Sequence, residues 1–130
     1  MKQLQFAEVK KCCERLGLIV LDADDLGNGV LGRFFPPNII LVNIKLCSDQ
    51  RLEQQKPVLV LLHEICHYFK HQEHPNDYSI HDEEACFEFE VICDQVLNFD
   101  EDIAKDFEAV KRLGLEKPMD FLQHVISNGS

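Results

Sequence analysis

The 130-residue chain has no tryptophan and two tyrosines, and it has only 13 lysines and arginines against 23 aspartates and glutamates. The resulting formal net charge of −10 argues against a protein that binds phosphate backbones or anionic membranes, because both are recognised by basic patches. No uninterrupted apolar run approaches the roughly 18 residues that a transmembrane helix needs. We therefore expect a partner that is neither a nucleic acid nor a membrane.

The N-terminal segment Met-Lys-Gln-Leu-Gln-Phe-Ala-Glu lacks the apolar stretch and small-residue cleavage site of a signal peptide, so a cytoplasmic location is expected. The six cysteines include no Cys-x-x-Cys pair, which excludes a thiolate zinc knuckle of that kind. A composition of 45% hydrophobic and 28% charged residues is typical of a globular protein. The length and composition predict one domain over residues 1–130.

Apolar periodicity and turn residues predict a helix, about three strands and then further helices. The predicted strands are 18–21, 30–35 and 39–44, and Pro36-Pro37-Asn38 is predicted to join the last two in a hairpin or meander. The predicted helices are 3–16, 48–55, 58–70, 83–97, 101–113 and 118–126, with a loop over 71–82. This order indicates an α+β fold, in which a small antiparallel or mixed three-stranded sheet packs against helices on one side.

The segment His63-Glu64-Ile65-Cys66-His67 is an HExxH motif. On a helix, residues four apart lie on one face, so His63 and His67 can both reach one zinc ion. Glu64 is then placed to take a proton from an attacking water and return it to a leaving amine. The preceding apolar run from Val58 to Leu62 predicts a buried helix, where an unpaired His-Glu-His set would be costly. The motif therefore predicts a zinc site with Glu64 as the catalytic residue.

A catalytic zinc site needs a third protein ligand. Lys70 and Glu73 stand where the metzincin pattern would place glycine and histidine, so that pattern is not met. His71 is excluded by distance, because ligands at 63, 67 and 71 would span about 12 Å of one helix. The remaining candidates lie on the next helical segment, where solvation is the alternative to metal binding for Glu88, and Glu90 and Asp94 are expected to be solvated. The candidates are His81, Asp82, Glu83, Glu84 and Glu88.

Four segments, taken in order, resemble the ImmA/IrrE family of metallopeptidases. They are a strand ending in asparagine, a polar stretch with an arginine, the HExxH helix, and a downstream helix that opens with Glu-Ala. In this sequence they are Ile39-Ile-Leu-Val-Asn43, Arg51, Leu61-Leu-His-Glu-Ile-Cys-His67 and Glu83-Glu-Ala-Cys86. The resemblance covers about residues 30 to 95. Cys66 replaces the usual glycine of the motif, and Cys86 stands where asparagine is usual.

The resemblance implies a zincin-like fold with the HExxH segment on a central helix. It implies a Zn²⁺ site formed by His63, His67 and Glu84, the glutamate that precedes alanine, with Glu83 as an alternative. It also implies the cleavage of a helix-turn-helix repressor of a phage or mobile element, for which the peptidase needs no DNA-binding surface of its own. SprT-like proteases instead use a downstream histidine, a place that His81 could take, but they tend to be basic.

Two other hypotheses about the function of the motif are compatible with the sequence. A metallopeptidase-like module could regulate a repressor or another partner without cutting it, although a pure binder has no need of Glu64. A closed structural zinc site would need a fourth protein ligand, which Cys66 or Cys86 would have to supply. The residue that stabilises the oxyanion of an enzyme is also open, and the candidates are Tyr68, Tyr78, His71 and His81.

Overall fold

The computed structural model describes residues 4–27, 29–48, 56–75, 80–99 and 107–128. In this part of the chain, three short strands and six helices form an α+β fold, as predicted. The strands are β1 (Ile19–Asp22), β2 (Gly32–Phe35) and β3 (Ile39–Val42). The helices are α1 (Phe6–Arg15), α2 (Ile44–Ser48), α3 (Lys56–Glu73), α4 (Ile80–Phe99), α5 (Phe107–Leu113) and α6 (Glu116–Asn128).

The sheet is mixed and has the order β1-β3-β2. β1 runs parallel to β3, whereas β2 and β3 form the predicted hairpin, with Phe35 paired to Ile39. Alternation along the strands buries Val20, Ile40 and Val42 under the helices and leaves Ile19 and Leu21 exposed on the other face. The helices therefore cover one side of the sheet, and β2 lies at its edge.

Helix α3 forms the centre of the molecule. Its first turns are apolar all round, and every residue from Val58 to Leu62 is buried. One side of α3 packs against β2 and β3 and another packs against α4. The prediction of a buried helix under the HExxH motif is confirmed.

The predicted loop over 71–82 is wrong at both ends. Helix α3 continues to Glu73, because no helix-breaking residue precedes Pro75. Helix α4 already begins at Ile80, three residues before the predicted start at 83, so Asp82 lies inside the helix and not in the loop before it. This earlier start brings residues 80–82 into the helix, whereas Glu83 and Glu84 lie in the helix in both the prediction and the structure.

The end of β3 also differs from the prediction. The strand ends at Val42, and after Asn43 the helix α2 begins at once at Ile44. The Asn43 side-chain oxygen accepts a hydrogen bond from the Leu46 amide at 3.0 Å, which is the geometry of a helix N-cap. Its amide group donates to the Asp24 carbonyl at 2.9 Å and so ties the loop after β1 to the sheet. Of the predicted helix 48–55, all residues after Ser48 lie outside the described residues. Arg51 is one of them.

The C-terminal helices are held to α3 by a buried lysine. The Lys70 ammonium donates to the Leu113 carbonyl at 2.5 Å and to the Gly114 carbonyl at 2.9 Å, just where α5 ends. The predicted helix 118–126 begins two residues earlier in the structure, at Glu116, so that Pro118 lies in the first turn of α6, where proline is tolerated. Of the predicted helix 101–113, only α5 falls within the described residues. None of the described helices is both long and apolar enough to cross a membrane.

Candidate metal centre

The HExxH motif places two imidazoles side by side on α3. The His63 and His67 rings lie one turn apart, with their centroids 5.0 Å from each other. Both are largely buried, since their side chains are 12% and 21% exposed. Their Nε2 atoms point to the same place, because each lies 3.0 Å from an oxygen of one carboxylate.

That carboxylate belongs to Glu83 on α4. Its Oε1 contacts His63 Nε2 and its Oε2 contacts His67 Nε2. In the part of the chain that the structure describes, His63, His67 and Glu83 form the one group whose donor atoms converge closely enough to hold a metal ion. The coarse prediction, of a possible metal site made by the HExxH histidines and a carboxylate from the next helix, is therefore confirmed.

The structure does not bring Glu84 into this group. Glu84 follows Glu83 by one residue, which is about 100° around a helix, and its side chain is exposed. Glu83, the alternative to Glu84, takes the position between the two histidines. The side chains of His81 and Asp82 lie outside the described residues, and Glu88 is not part of the group.

Glu90 was expected to be solvated, but it belongs to the same site. Its Oε1 lies 3.1 Å from Nδ1 of His63, on the side of the ring opposite Glu83. Burial alone would lower the pKa of His63, but the Glu90 carboxylate and the charges of Glu64 and Glu83 outweigh it and raise this pKa to about 9. Without a metal ion, the imidazole therefore holds a proton between two carboxylates.

Glu64 lies on the side of α3 that faces β2, and it is only 8% exposed. Burial raises the pKa of Glu64 to about 7, with His63 and Arg33 acting against the shift and Glu83 and Glu90 acting with it. A carboxylate with a pKa near neutral can both accept and return a proton at neutral pH. This is the property that the predicted catalytic role requires.

The close approach of β2 to Glu64 depends on a glycine. A Cβ added to Gly32 would lie 2.6 Å from Val60 Cγ1 and 3.3 Å from Glu64 Cγ. Sequence reasoning missed Gly32, Arg33 and Glu90 as parts of the site. Only Glu90 had a usable signal, because it follows Glu83 by seven residues, which is two helical turns.

The other predicted residues have different surroundings. The Tyr68 hydroxyl accepts a hydrogen bond from Gln72 at 2.7 Å, and its ring packs edge-on against Phe34. The His71 ring also packs against Phe34, with 5.8 Å between the ring centroids. Neither residue belongs to the metal-binding group. Tyr78 and the His81 side chain, the other candidates for oxyanion stabilisation, lie outside the described residues.

The cysteines do not contribute to the group. Cys66 and Cys86 are fully buried between α3 and α4, and a hydrogen bond between the two thiols, together with burial, raises the pKa of Cys86. A thiol must lose its proton to bind zinc, so both effects oppose ligation. Within the described residues, the group has three donors and no cysteine, which does not meet the requirement of a closed structural site.

Comparison of the chain with protein-family models, with curated proteins and with solved structures finds no match.

Proposed function

We propose that this protein is a zinc-dependent endopeptidase that hydrolyses a peptide bond in a protein substrate. The observation that carries the proposal is the convergence of His63, His67 and Glu83 on one point, with the buried Glu64 carboxylate in the same motif. Two histidines and one glutamate are a ligand set of catalytic zinc, which leaves one position open for water or substrate. The resemblance to ImmA/IrrE peptidases supports the same chemistry.

The donor set fits zinc better than the alkaline-earth cations. Two imidazole nitrogens favour a transition metal, whereas magnesium and calcium prefer sites made of oxygen atoms. The carboxylates of Glu64, Glu83 and Glu90 all raise the pKa of His63, which means that they favour positive charge at this place. A cation would therefore be electrostatically favoured here. A bound zinc ion would supply the Lewis acidity that polarises a scissile carbonyl and acidifies a water molecule.

The chain's own residues would carry the proton. Glu64 accepts a proton from the water that attacks the carbonyl carbon, and it donates that proton to the amide nitrogen as the C–N bond breaks. Its buried position keeps its pKa close to the range in which both transfers are possible. His63, His67 and Glu83 hold the ion and take no proton during the reaction.

The edge of the sheet offers a place for the substrate backbone. β2 is an edge strand, and among the described strands only β3 pairs with it. An extended peptide can add to such an edge through main-chain hydrogen bonds. Because Gly32 packs against Glu64, a peptide bound along β2 would run beside the proposed general base.

The substrate class follows from the resemblance and is part of the proposal. Relatives of this type relieve repression, so the proposed substrate is a helix-turn-helix repressor of a phage or mobile element. The net charge of −10 suits a protein that meets such a repressor directly and makes no contact with DNA. A cytoplasmic location is part of the same proposal.

A comparison of peptide hydrolysis by the wild-type protein and by a Glu64→Gln variant tests the proposal. The zinc-loaded wild-type protein and Glu64→Gln would be incubated with a peptide library prepared from a bacterial proteome, and new N-termini would be counted by mass spectrometry. We expect cleavage by the wild type and none by Glu64→Gln, although both contain zinc. If the zinc-loaded wild type produces no new N-termini, the endopeptidase assignment is wrong, and the non-cleaving binding module becomes the better reading.

A further inference from the structure

His63 is held by carboxylates at both ring nitrogens, and both carboxylates come from α4. Glu83 lies 3.0 Å from Nε2, the nitrogen that faces the metal-binding group, and Glu90 lies 3.1 Å from Nδ1. The two glutamates are seven residues apart, so they project from the same side of the helix two turns apart. The packing of α3 on α4 thus delivers one carboxylate to the front of the ring and a second to its back.

The Nδ1 atom of His63, on the side of the ring away from the metal-binding group, is buried. Within the described residues, no group satisfies it by full hydrogen-bond geometry. The Glu90 oxygen is at ion-pair distance from it, on a side chain that is 26% exposed. Because a buried polar nitrogen is costly to leave unpaired, losing the Glu90 side chain would remove the carboxylate that the structure places beside it.

We propose that Glu90 is a positioning residue, which fixes the tautomer and the orientation of His63 so that Nε2 is presented to a metal ion. A neutral imidazole carries one proton, and it binds a metal only through the nitrogen without that proton. A carboxylate beside Nδ1 holds the proton there and leaves the Nε2 lone pair free. The proposal rests on the proposed metal site, and it goes further by assigning a role to a carboxylate that is not a ligand.

The same arrangement predicts that substitutions of Glu83, Glu90 and Glu88 on α4 differ in their effect on zinc binding. Glu83 contacts both Nε2 atoms and is a candidate ligand, whereas Glu90 contacts only the far nitrogen of one ring. Removal of Glu83 should therefore remove a metal–ligand bond, and removal of Glu90 should weaken binding while leaving all three ligands in place. Glu88 provides a matched control, because it lies on the same helix but about 160° away from Glu90 around the axis.

The test uses zinc alone as the probe, in competition with a chromophoric chelator. We expect Glu90→Ala to weaken zinc binding by about 10- to 100-fold, the range seen when such partners are removed. Glu90→Gln keeps a side-chain oxygen of the same reach and should lose less affinity than Glu90→Ala. Glu88→Gln should bind zinc as the wild type does. Glu90→Gln, which is nearly isosteric, keeps the test usable if the alanine variant does not fold.

A spectroscopic measurement separates positioning from a general loss of structure. ¹⁵N-labelled histidine spectra of the zinc-loaded wild type should show the His63 proton on Nδ1, and this signal should broaden or shift in Glu90→Ala while the His67 signals persist. Unchanged zinc affinity and an unchanged His63 signal in Glu90→Ala would overturn this proposal alone. A wild-type protein that binds no zinc would overturn the proposed function, and this proposal with it.

Discussion

Gly32 lies against Glu64, so that a side chain at position 32 would push directly on the proposed general base. A Cβ there would meet Val60 Cγ1 at 2.6 Å and Glu64 Cγ at 3.3 Å, both on the central helix. Val60 is β-branched and has little freedom to turn away. We therefore expect Gly32→Ala to lower the free energy of unfolding by about 1–3 kcal/mol, as overpacked cores do. Urea denaturation of the wild type and the variant measures this.

A second substitution shows whether the loss of stability in Gly32→Ala is caused by the contact with Val60. Val60→Ala removes the atom that the new Cβ would meet most closely, so the double variant should lose less stability than the sum of the two single variants. Strict additivity of the two losses would contradict the steric explanation. Hydrolytic activity should fall in Gly32→Ala and recover in part in the double variant, because the closest contact is then relieved while the 3.3 Å contact with Glu64 Cγ remains.

The sequence was sufficient to predict the elements that are built from local patterns. The apolar run before His63 predicts a buried helix, and Pro36-Pro37-Asn38 between two apolar segments predicts the hairpin. Gly17 directly follows the predicted helix 3–16, as a helix-ending glycine does, and the structure shows it with a φ of 89° immediately after Leu16, where the backbone leaves α1. Each of these features depends on residues close together in the chain.

The third donor of the metal group was harder to predict because it depends on packing between two helices. Glu83 and Glu84 differ by about 100° around α4, so a shift of one residue decides which of them faces the histidines. That shift is set by where α4 begins and by how it packs on α3, and the predicted start at 83 was three residues late. The contact of Glu90 with His63 depends on the same packing.

Asn43 performs two functions that a pair of substitutions can separate. Its oxygen caps α2 at the Leu46 amide, and its amide group holds the Asp24 carbonyl. We expect Asn43→Ala to cost about 1–3 kcal/mol of stability, because one cap and one partly buried hydrogen bond are lost together. Asn43→Asp keeps an oxygen for the cap and loses only the donor, so its loss should be smaller. Equal losses in the two variants, measured by urea denaturation, would contradict this division.

Lys70 is expected to contribute to stability rather than to chemistry. Its ammonium satisfies the carbonyls of Leu113 and Gly114 and is only 8% exposed. Lys70→Met should leave both carbonyls without this donor and reduce stability by about 1–3 kcal/mol. Lys11→Met, at an exposed position of α1, is the control and should change stability by less than about 0.5 kcal/mol. If amide exchange in α5 is faster in Lys70→Met and unchanged in Lys11→Met, the loss of stability lies where Lys70 holds the end of α5. Equal stability of the two variants would contradict the prediction.

Zinc should stabilise the folded protein, because the group that would hold it forms only when α3 and α4 are packed. With free zinc at 100 times its dissociation constant, the expected gain is about 2.7 kcal/mol. Thermal unfolding with and without zinc measures the gain, and excess chelator should reverse it. Magnesium should have little effect on the wild type because it prefers oxygen ligands. His67→Ala should respond to neither ion, and a zinc-dependent gain in this variant would place the binding elsewhere.

The choice between Glu83 and Glu84 as the third ligand can be decided by one pair of substitutions. The carboxylate of Glu83 lies 3.0 Å from Nε2 of both histidines, while the resemblance to ImmA/IrrE peptidases points to the glutamate before alanine, Glu84. The structure therefore predicts that Glu83→Ala loses bound zinc and that Glu84→Ala, a change of the same charge one residue away, retains it. Metal content by elemental analysis after dialysis measures both. The opposite result would mean that α4 turns by about 100° when the ion binds, and it would restore the ligand set that the resemblance implies.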